Sequence, residues 1–243
     1  MNKLLSSFGW ILLLLPFISV AGTKSILHTI QGENKIEERP VSNFTGISSS
    51  GAYDVYVKIG TTEDLRIEGE KDYIKNIETN VENGTLKIRN SKSGSGWSWT
   101  NFGKTKIYIT AKSLNNLTLS GSGNMIINNT IKSDQLNTSV SGSGSIRLNM
   151  ITTNYNAAVS GSGNINAIGH AKKASIAISG SGGFEGQNLK TATTDIKVSG
   201  SGNATIYADE QLNAHLSGSG NITYSGNAQV NQAKSGSGKI TKN

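Results

Sequence analysis

Val159-Ser160-Gly161-Ser162-Gly163-Asn164-Ile165-Asn166 is the stretch on which the fold turns. In the second half of the chain its Ser-Gly-Ser-Gly core recurs seven times, beginning at Ser120, Ser141, Ser160, Ser179, Ser199, Ser217 and Ser235. The steps are 21, 19, 19, 20, 18 and 18 residues. A near-constant period of this length marks a stacked repeat architecture.

The apolar residues keep phase with the glycines. Counting from the first Ser, position minus one holds Leu119, Val140, Val159, Ile178, Val198 and Leu216, then Lys234. Position plus five holds Met125, Ile146, Ile165, Phe184, Ala204, Ile222 and Ile240. Apolar positions two apart on each side of a Gly-Ser turn mean strand, turn, strand, with alternate side chains inward. Helical spacing is absent, and two glycines per repeat would cost a helix about 1 kcal/mol each. One coil per repeat, piled at about 4.8 Å, predicts an all-β protein, a parallel β-solenoid of roughly 34 Å for seven coils.

The paired glycines Gly121/Gly123, Gly142/Gly144, Gly161/Gly163, Gly180/Gly182, Gly200/Gly202 and Gly218/Gly220 are predicted to be its corners. A sharp turn there calls for positive φ, which glycine permits, and small side chains suit a tight corner. Asn124, Asn164, Asn203 and Asn221 follow the motif; asparagine tolerates left-handed backbone and its amides can bond along a stack. Lys234, Lys239 and Lys242 make the last copy polar, as expected of a terminal coil.

Residues 1–21 read as a signal peptide: Lys3, an apolar run over 10–17, and Ser19-Val20-Ala21 as the cleavage site. The run is too short to span a bilayer. No cysteine is present, so neither disulfides nor a lipoprotein anchor is available. Loss of Lys3 takes the formal charge from +7 to +6. The excess is dispersed, which disfavours nucleic acid as a partner.

Residues 22–42 form a polar leader with at most one strand. An irregular N-terminal β portion covers 43–112, and the repeats cover 113–243. Ile47, Tyr53 and Val55 read as positions minus one, plus five and plus seven of a degenerate copy. Strands are predicted near 53–59, 65–68, 78–81, 85–89 and 106–111, with a helical turn within 71–77. Asn83-Gly84 signals a tight hairpin. A Gly/Ser-rich insertion at 91–104 carries Trp97, Trp99 and Phe102. These aromatics read either as a contact surface for a sugar or protein, or as a cover over a thin core.

Together, the signal peptide, Ile47…Gly51-Ala52-Tyr53-Asp54-Val55, Asn83-Gly84-Thr85-Leu86 and the Ser-Gly-Ser-Gly-Asn-Ile copies resemble the auto-transporter adhesin, head GIN-domain family, common in Bacteroidetes. The resemblance covers about 43–224. It implies an exported, right-handed β-helix-like protein and carries no catalytic residues. After Asn243 no sequence follows for a translocating barrel, so the expectation is a passenger-like head exported by other means.

Catalysis needs convergent groups. Asp134, Glu185, Asp195, Asp209 and Glu210 are the acidic residues beyond 112, and they fall at different phases of the repeat. Asp209 and Glu210 are neighbours that point apart in an extended segment. The calcium-binding nonapeptide needs an Asp after its glycines, and none is there. His28, His170 and His215 lack ligand spacing. No metal or cofactor is expected. The reading is an exported, non-enzymatic binding or adhesion module, periplasmic or at the cell surface, offering a repetitive polar face to a glycan, envelope polymer or protein. A degenerate carbohydrate-active enzyme and a purely structural envelope protein are the alternatives.

Overall fold

The computed structural model describes residues 34–91 and 105–243. The signal peptide and the aromatic insertion, with Trp97, Trp99 and Phe102, lie outside the described residues.

Elements run in chain order as β1 (Asn34–Arg39), β2 (Gly46–Gly51), β3 (Asp54–Ile59), β4 (Asp64–Glu70), α1 (Lys71–Ile74), β5 (Ile77–Glu82), β6 (Thr85–Asn90), β7 (Lys106–Ala111) and β8 (Asn116–Gly121). The repeats follow as β9 (Asn124–Gly142), β10 (Ser145–Gly161), β11 (Asn164–Gly180), β12 (Gly183–Glu185), β13 (Leu189–Gly200), β14 (Asn203–Tyr207), β15 (Gln211–Gly218), β16 (Asn221–Ser225), β17 (Gln229–Ser235) and β18 (Lys239–Lys242).

The repeats build a parallel solenoid, one coil per copy. Gly142 pairs with Gly121, Gly161 with Gly142, Gly180 with Gly161, Gly200 with Gly180 and Gly218 with Gly200. This register sets every inward residue on its equivalent. Met125, Ile146, Ile165, Phe184, Ala204 and Ile222 form one interior column, each at most 3% exposed. Leu119, Val140, Val159, Ile178, Val198 and Leu216 form a second.

The two glycines of each predicted corner differ in backbone conformation, with positive φ on the first alone. Gly121, Gly142, Gly161, Gly180, Gly200 and Gly218, the first of each pair, do have positive φ, from 104° at Gly161 to 131° at Gly121. Gly123, Gly144, Gly163, Gly182, Gly202 and Gly220, the second of each pair, do not. These six are buried and are glycine for lack of space. A Cβ on Gly163 would lie 2.5 Å from the carbonyl oxygen of Gly144, and one on Gly202 would lie 2.6 Å from that of Gly182. On Gly220 it would collide with Gly202 O, and on Gly123 with Tyr53 O, the matching carbonyl of the first coil. The physical reason is the stacking itself: the first glycine absorbs the turn, and both rest on the backbone of the neighbouring coil, a Cβ on Gly161 standing 2.8 Å from Gly142 O. Amide-to-carbonyl bonds tie corner to corner, as from Gly182 N to Gly161 O at 2.9 Å.

Positive φ is confined to glycine in the repeats. Asn124, Asn164, Asn203 and Asn221 are extended residues that open strands. Of their expected role only the amide ladder is realised, at Asn124, Asn203 and Asn221, because the first glycine already takes the left-handed position.

The degenerate first copy sits two residues away from the predicted alignment. Gly51 pairs with Gly121, so Ser49 lies beside Leu119, Ile47 beside Leu117 and Val55 beside Met125. A shift of two preserves which side chains face inward, so the apolar pattern alone does not choose between the registers. Tyr53 occupies the place of the second glycine, and its carbonyl accepts from Asn124 N at 3.2 Å. Its ring lies where a Cβ on Gly51 would project.

Below this coil the sheet changes character. β6 lies beside β2 and β7 beside β3, both parallel, while β4, β1 and β5 add in antiparallel fashion. Asn83 (φ 50°) and Gly84 (φ 71°) make the two-residue turn of the β5–β6 hairpin. Arg39 fastens β1 to the rest of this end, donating to Ile74 O at 3.0 Å and to Thr79 Oγ1 at 3.3 Å.

The opposite end is polar where the core would continue. Gln232 pairs with Ala214 and Lys234 with Leu216, and Lys234 Nζ donates to Gly238 O at 3.1 Å. Charges placed at core positions of an edge coil oppose addition of another strand. The double substitution Gln232→Leu/Lys234→Leu is therefore expected to shift the protein to larger species in sedimentation velocity. An unchanged distribution at high concentration would count against this role.

Candidate binding surfaces

Ordered polar groups gather on two surfaces, one along the repeats and one at the N-terminal end.

Along the repeats, outward residues of equal phase form columns. One column runs Asp54, Asn124, Ser145, Asn164, Gly183, Asn203 and Asn221. Asn124 Nδ2 donates to Asp54 Oδ1 (2.8 Å), Ser145 Oγ to Asn124 Oδ1 (2.7 Å) and Asn221 Nδ2 to Asn203 Oδ1 (2.9 Å). On the other flank of the glycine corner, Asn156 donates to Asn137 (2.9 Å) and Asn213 to Asp195 (2.6 Å). Such side chains are held in place by their neighbours in adjacent coils, so the face is ordered before any partner arrives. Beside the corner runs the serine column from Ser120 to Ser217, next to outward Ala158 and Ala177. These short side chains leave a groove of about 630 Å³, bordered by Lys197 and His215.

The acidic residues of the repeats do not converge. Glu185 accepts from Asn166 (2.6 Å), Asp195 from Asn213, and Asp209 from the Tyr207 hydroxyl (2.7 Å). That bond to Asp209 raises the Tyr207 pKa, because the phenol is the donor. Lys190 lies 3.4 Å from the centre of the same ring. No cluster of three His, Cys, Asp or Glu suited to a metal occurs among the described residues. No helix among them is long and apolar enough to cross a membrane.

At the N-terminal end, β3, β7, β4 and β1 lie side by side. Register aligns Tyr56, Tyr108, Arg66 and Glu38 in one row across their outer face. The tyrosine rings stack at 5.3 Å with 19° between planes, and Arg66 lies over Tyr108 at 4.4 Å. A cleft of about 940 Å³ opens beside this row, also lined by Lys58, Asp64, Thr110 and Asn128. Its rim is fixed by Glu63, whose carboxylate accepts from the backbone N–H of Asn43 (3.1 Å) and Phe44 (3.3 Å). Those bonds hold the Glu63 carboxyl below the usual carboxylate range.

Of the residues singled out from sequence, Trp97, Trp99 and Phe102 lie outside the described residues. The corner glycines belong to the scaffold: Gly123, Gly202, Gly220 and their equivalents are buried between coils and offer no surface to a partner. Sequence reasoning misses the cleft. Its residues come from separate strands, and three of those strands, β1, β4 and β5, pair antiparallel. One signal is present: Val55-Tyr56-Val57 and Ile107-Tyr108-Ile109 share the pattern apolar-Tyr-apolar, which marks an outward tyrosine on a buried strand.

Comparison with known proteins agrees with this architecture. A crystal structure of a "putative adhesin" from Bacteroides fragilis is 27% identical, with a TM-score of 0.80, over 87% of this chain and 97% of that one. A "putative lipid binding protein" from Parabacteroides distasonis is 26% identical, with a TM-score of 0.72, over 88% of this chain and 98% of that one. A "putative adhesin" from Parabacteroides merdae, 21% identical with a TM-score of 0.69 over 88% and 97% of the two chains, shares the fold. No curated protein matches. Residues 43–228, from the segment leading into the first coil to the edge of the last, match the family described as "Putative auto-transporter adhesin, head GIN domain", and the chain belongs to that family.

Proposed function

We propose that the protein is an exported, non-enzymatic binding module that works in the periplasm or at the cell surface. Its repeated polar face would engage a glycan or another envelope polymer. The observation that carries this reading is the in-register ladder of asparagine, serine and aspartate side chains on both flanks of the glycine corners. A rigid array with a similar element in most coils, interrupted in one column at Gly183, suits a ligand that is itself repetitive. Repetition of weak contacts can raise avidity by about 10²–10⁴. Family membership supports the adhesive role. The dispersed carboxylates of the repeats speak for binding over hydrolysis, because glycoside cleavage uses two facing carboxyl groups.

A lipid partner, suggested by the name of the Parabacteroides distasonis relative, is less favoured. The interior columns are filled, and the large apolar side chains exposed among the described residues are Ile36, Ile151 and Ile168. The test is a glycan array together with pull-down by purified peptidoglycan and capsular polysaccharide, using the secreted chain. Retention on at least one polymer is expected, with loss when Asn124, Asn156 and Asn213 are replaced together by alanine. No retention on any of them, or retention unchanged in that variant, would contradict the proposal.

A further inference from the structure

We infer that the cleft beside the first coil is a separate site for a neutral saccharide, gripped by hydrogen bonds and independent of the repeat face. Six charged side chains line it: Arg39, Lys58 and Arg66 against Glu38, Glu63 and Asp64. Their formal charges cancel. Arg39 is paired with Glu37 and Glu63 with Lys112, while Glu38, Lys58, Asp64 and Arg66 are in no ion pair among the described residues. Arg66 and Glu38 are register partners on adjacent strands, a position where opposite charges usually meet. Here the guanidinium instead lies over the Tyr108 ring, and the exposed Glu38 carboxylate stays unpaired.

Thr110 supplies an independent observation. It lines the cleft and is 3% exposed, and its hydroxyl has no hydrogen-bond partner among the described residues. Buried hydroxyls normally find a partner, so this one marks a position where a ligand group would be rewarded.

The chemistry selects the ligand class. A polyanion would meet Glu38 and Asp64, and a polycation would meet Lys58 and Arg66. A neutral polyol offers donors to the carboxylates and acceptors to the cations, and it can satisfy Thr110. The volume falls in the usual range for small-ligand sites, about 300–1,000 Å³. Tyr108 is flanked by Tyr56 on one side and Arg66 on the other, so ring stacking on a sugar is not available to it. Recognition then falls to hydroxyl, carboxylate, guanidinium and ammonium groups.

The experiment is isothermal titration of the full secreted chain with cellopentaose, mannopentaose and xylopentaose, with polygalacturonate as the anionic comparison. At least one neutral pentasaccharide is expected to bind at millimolar concentration or below. Asp64→Asn and Arg66→Ala should each weaken it about tenfold, the loss of one charged hydrogen bond. Thr110→Val keeps the shape of the side chain. It should weaken binding while leaving the melting temperature unchanged or higher, because an unpaired hydroxyl is removed. Asn213→Ala, on the repeat face, should leave the titration unaltered, so this site and the repeat face fail separately. Absence of binding by all three pentasaccharides, preference for polygalacturonate, or affinity indifferent to Asp64, Arg66 and Thr110 would each overturn the inference.

Discussion

Gly163→Ala should destabilise the protein by about 3 kcal/mol, although it adds a single methyl group. The ideal Cβ would collide with Val140 Cγ1 and stand 2.5 Å from Gly144 O. Valine could rotate, but the carbonyl cannot withdraw. It already accepts from Asn164 N at 3.1 Å, and its strand is locked by register to coils on both sides. Relief therefore requires prising two coils apart at a corner where they are bonded. Gly161→Ala should also cost at least about 1–3 kcal/mol, because φ of 104° is a conformation that side chains resist and its Cβ would stand 2.8 Å from Gly142 O. Exposed Ser162→Ala, between them, should stay within about 0.5 kcal/mol of the parent. Urea denaturation of the three variants reads the contrast. Equal stability of Gly163→Ala and Ser162→Ala would mean that the coils do not approach as closely as described.

Phe184→Ala should cost about 3–5 kcal/mol, the range for truncating a buried aromatic. Phe184 is 1% exposed and packs beside Tyr155 at a centroid distance of 6.3 Å. Its column neighbours are Ile165 and the much smaller Ala204. The chain has made room for the ring, since a Cβ on Gly186 would run into it. Truncation would leave a cavity between two coils that are pinned at their corners and so cannot close over it. Phe184→Leu should recover most of the loss. A Phe184→Ala protein with parental urea midpoint would show that this interior is not close-packed.

The repeat portion is legible in sequence because one observation constrains everything else. A constant interval between glycines fixes which residues stack, and the apolar positions at minus one and plus five then name the two interior columns. Where the interval is lost, the register is lost with it. In the first coil Ile47 and Val55 keep the inward phase, but the alternation repeats every two residues and cannot resolve a slip of two. The structure resolves it, because Gly51 pairs with Gly121. Sequence also does not separate the two glycines of a corner. Gly121 and Gly123 look alike in the motif and both lie against a carbonyl of the first coil, yet only Gly121 turns the backbone through positive φ. The asparagines after the motif suit both a backbone and a side-chain role on paper. The structure keeps only the latter, because the first glycine absorbs the turn.

The N-terminal cleft is illegible for another reason. Tyr56, Arg66 and Tyr108 are brought together by antiparallel additions to a parallel sheet, and nothing in a local pattern states which strand will lie beside which. The β5–β6 hairpin is the exception, since its Asn83-Gly84 turn is a local signal. By contrast, the pairing of β4 with β7 joins strands far apart in sequence and is set by packing.

The central claim, one coil per repeat in strict register, is tested most directly by a distance series. The chain has no native cysteine, so paired spin labels can be placed without background. With one label at Ser141 and the second at Ser199, Ser217 or Ser235 in turn, the partners are three, four and five coils away. The mean separations should be about 14, 19 and 24 Å, rising by one strand spacing at each step. Separations that fail to rise by a constant increment, or that fall as the sequence interval grows, would contradict the stacked coil.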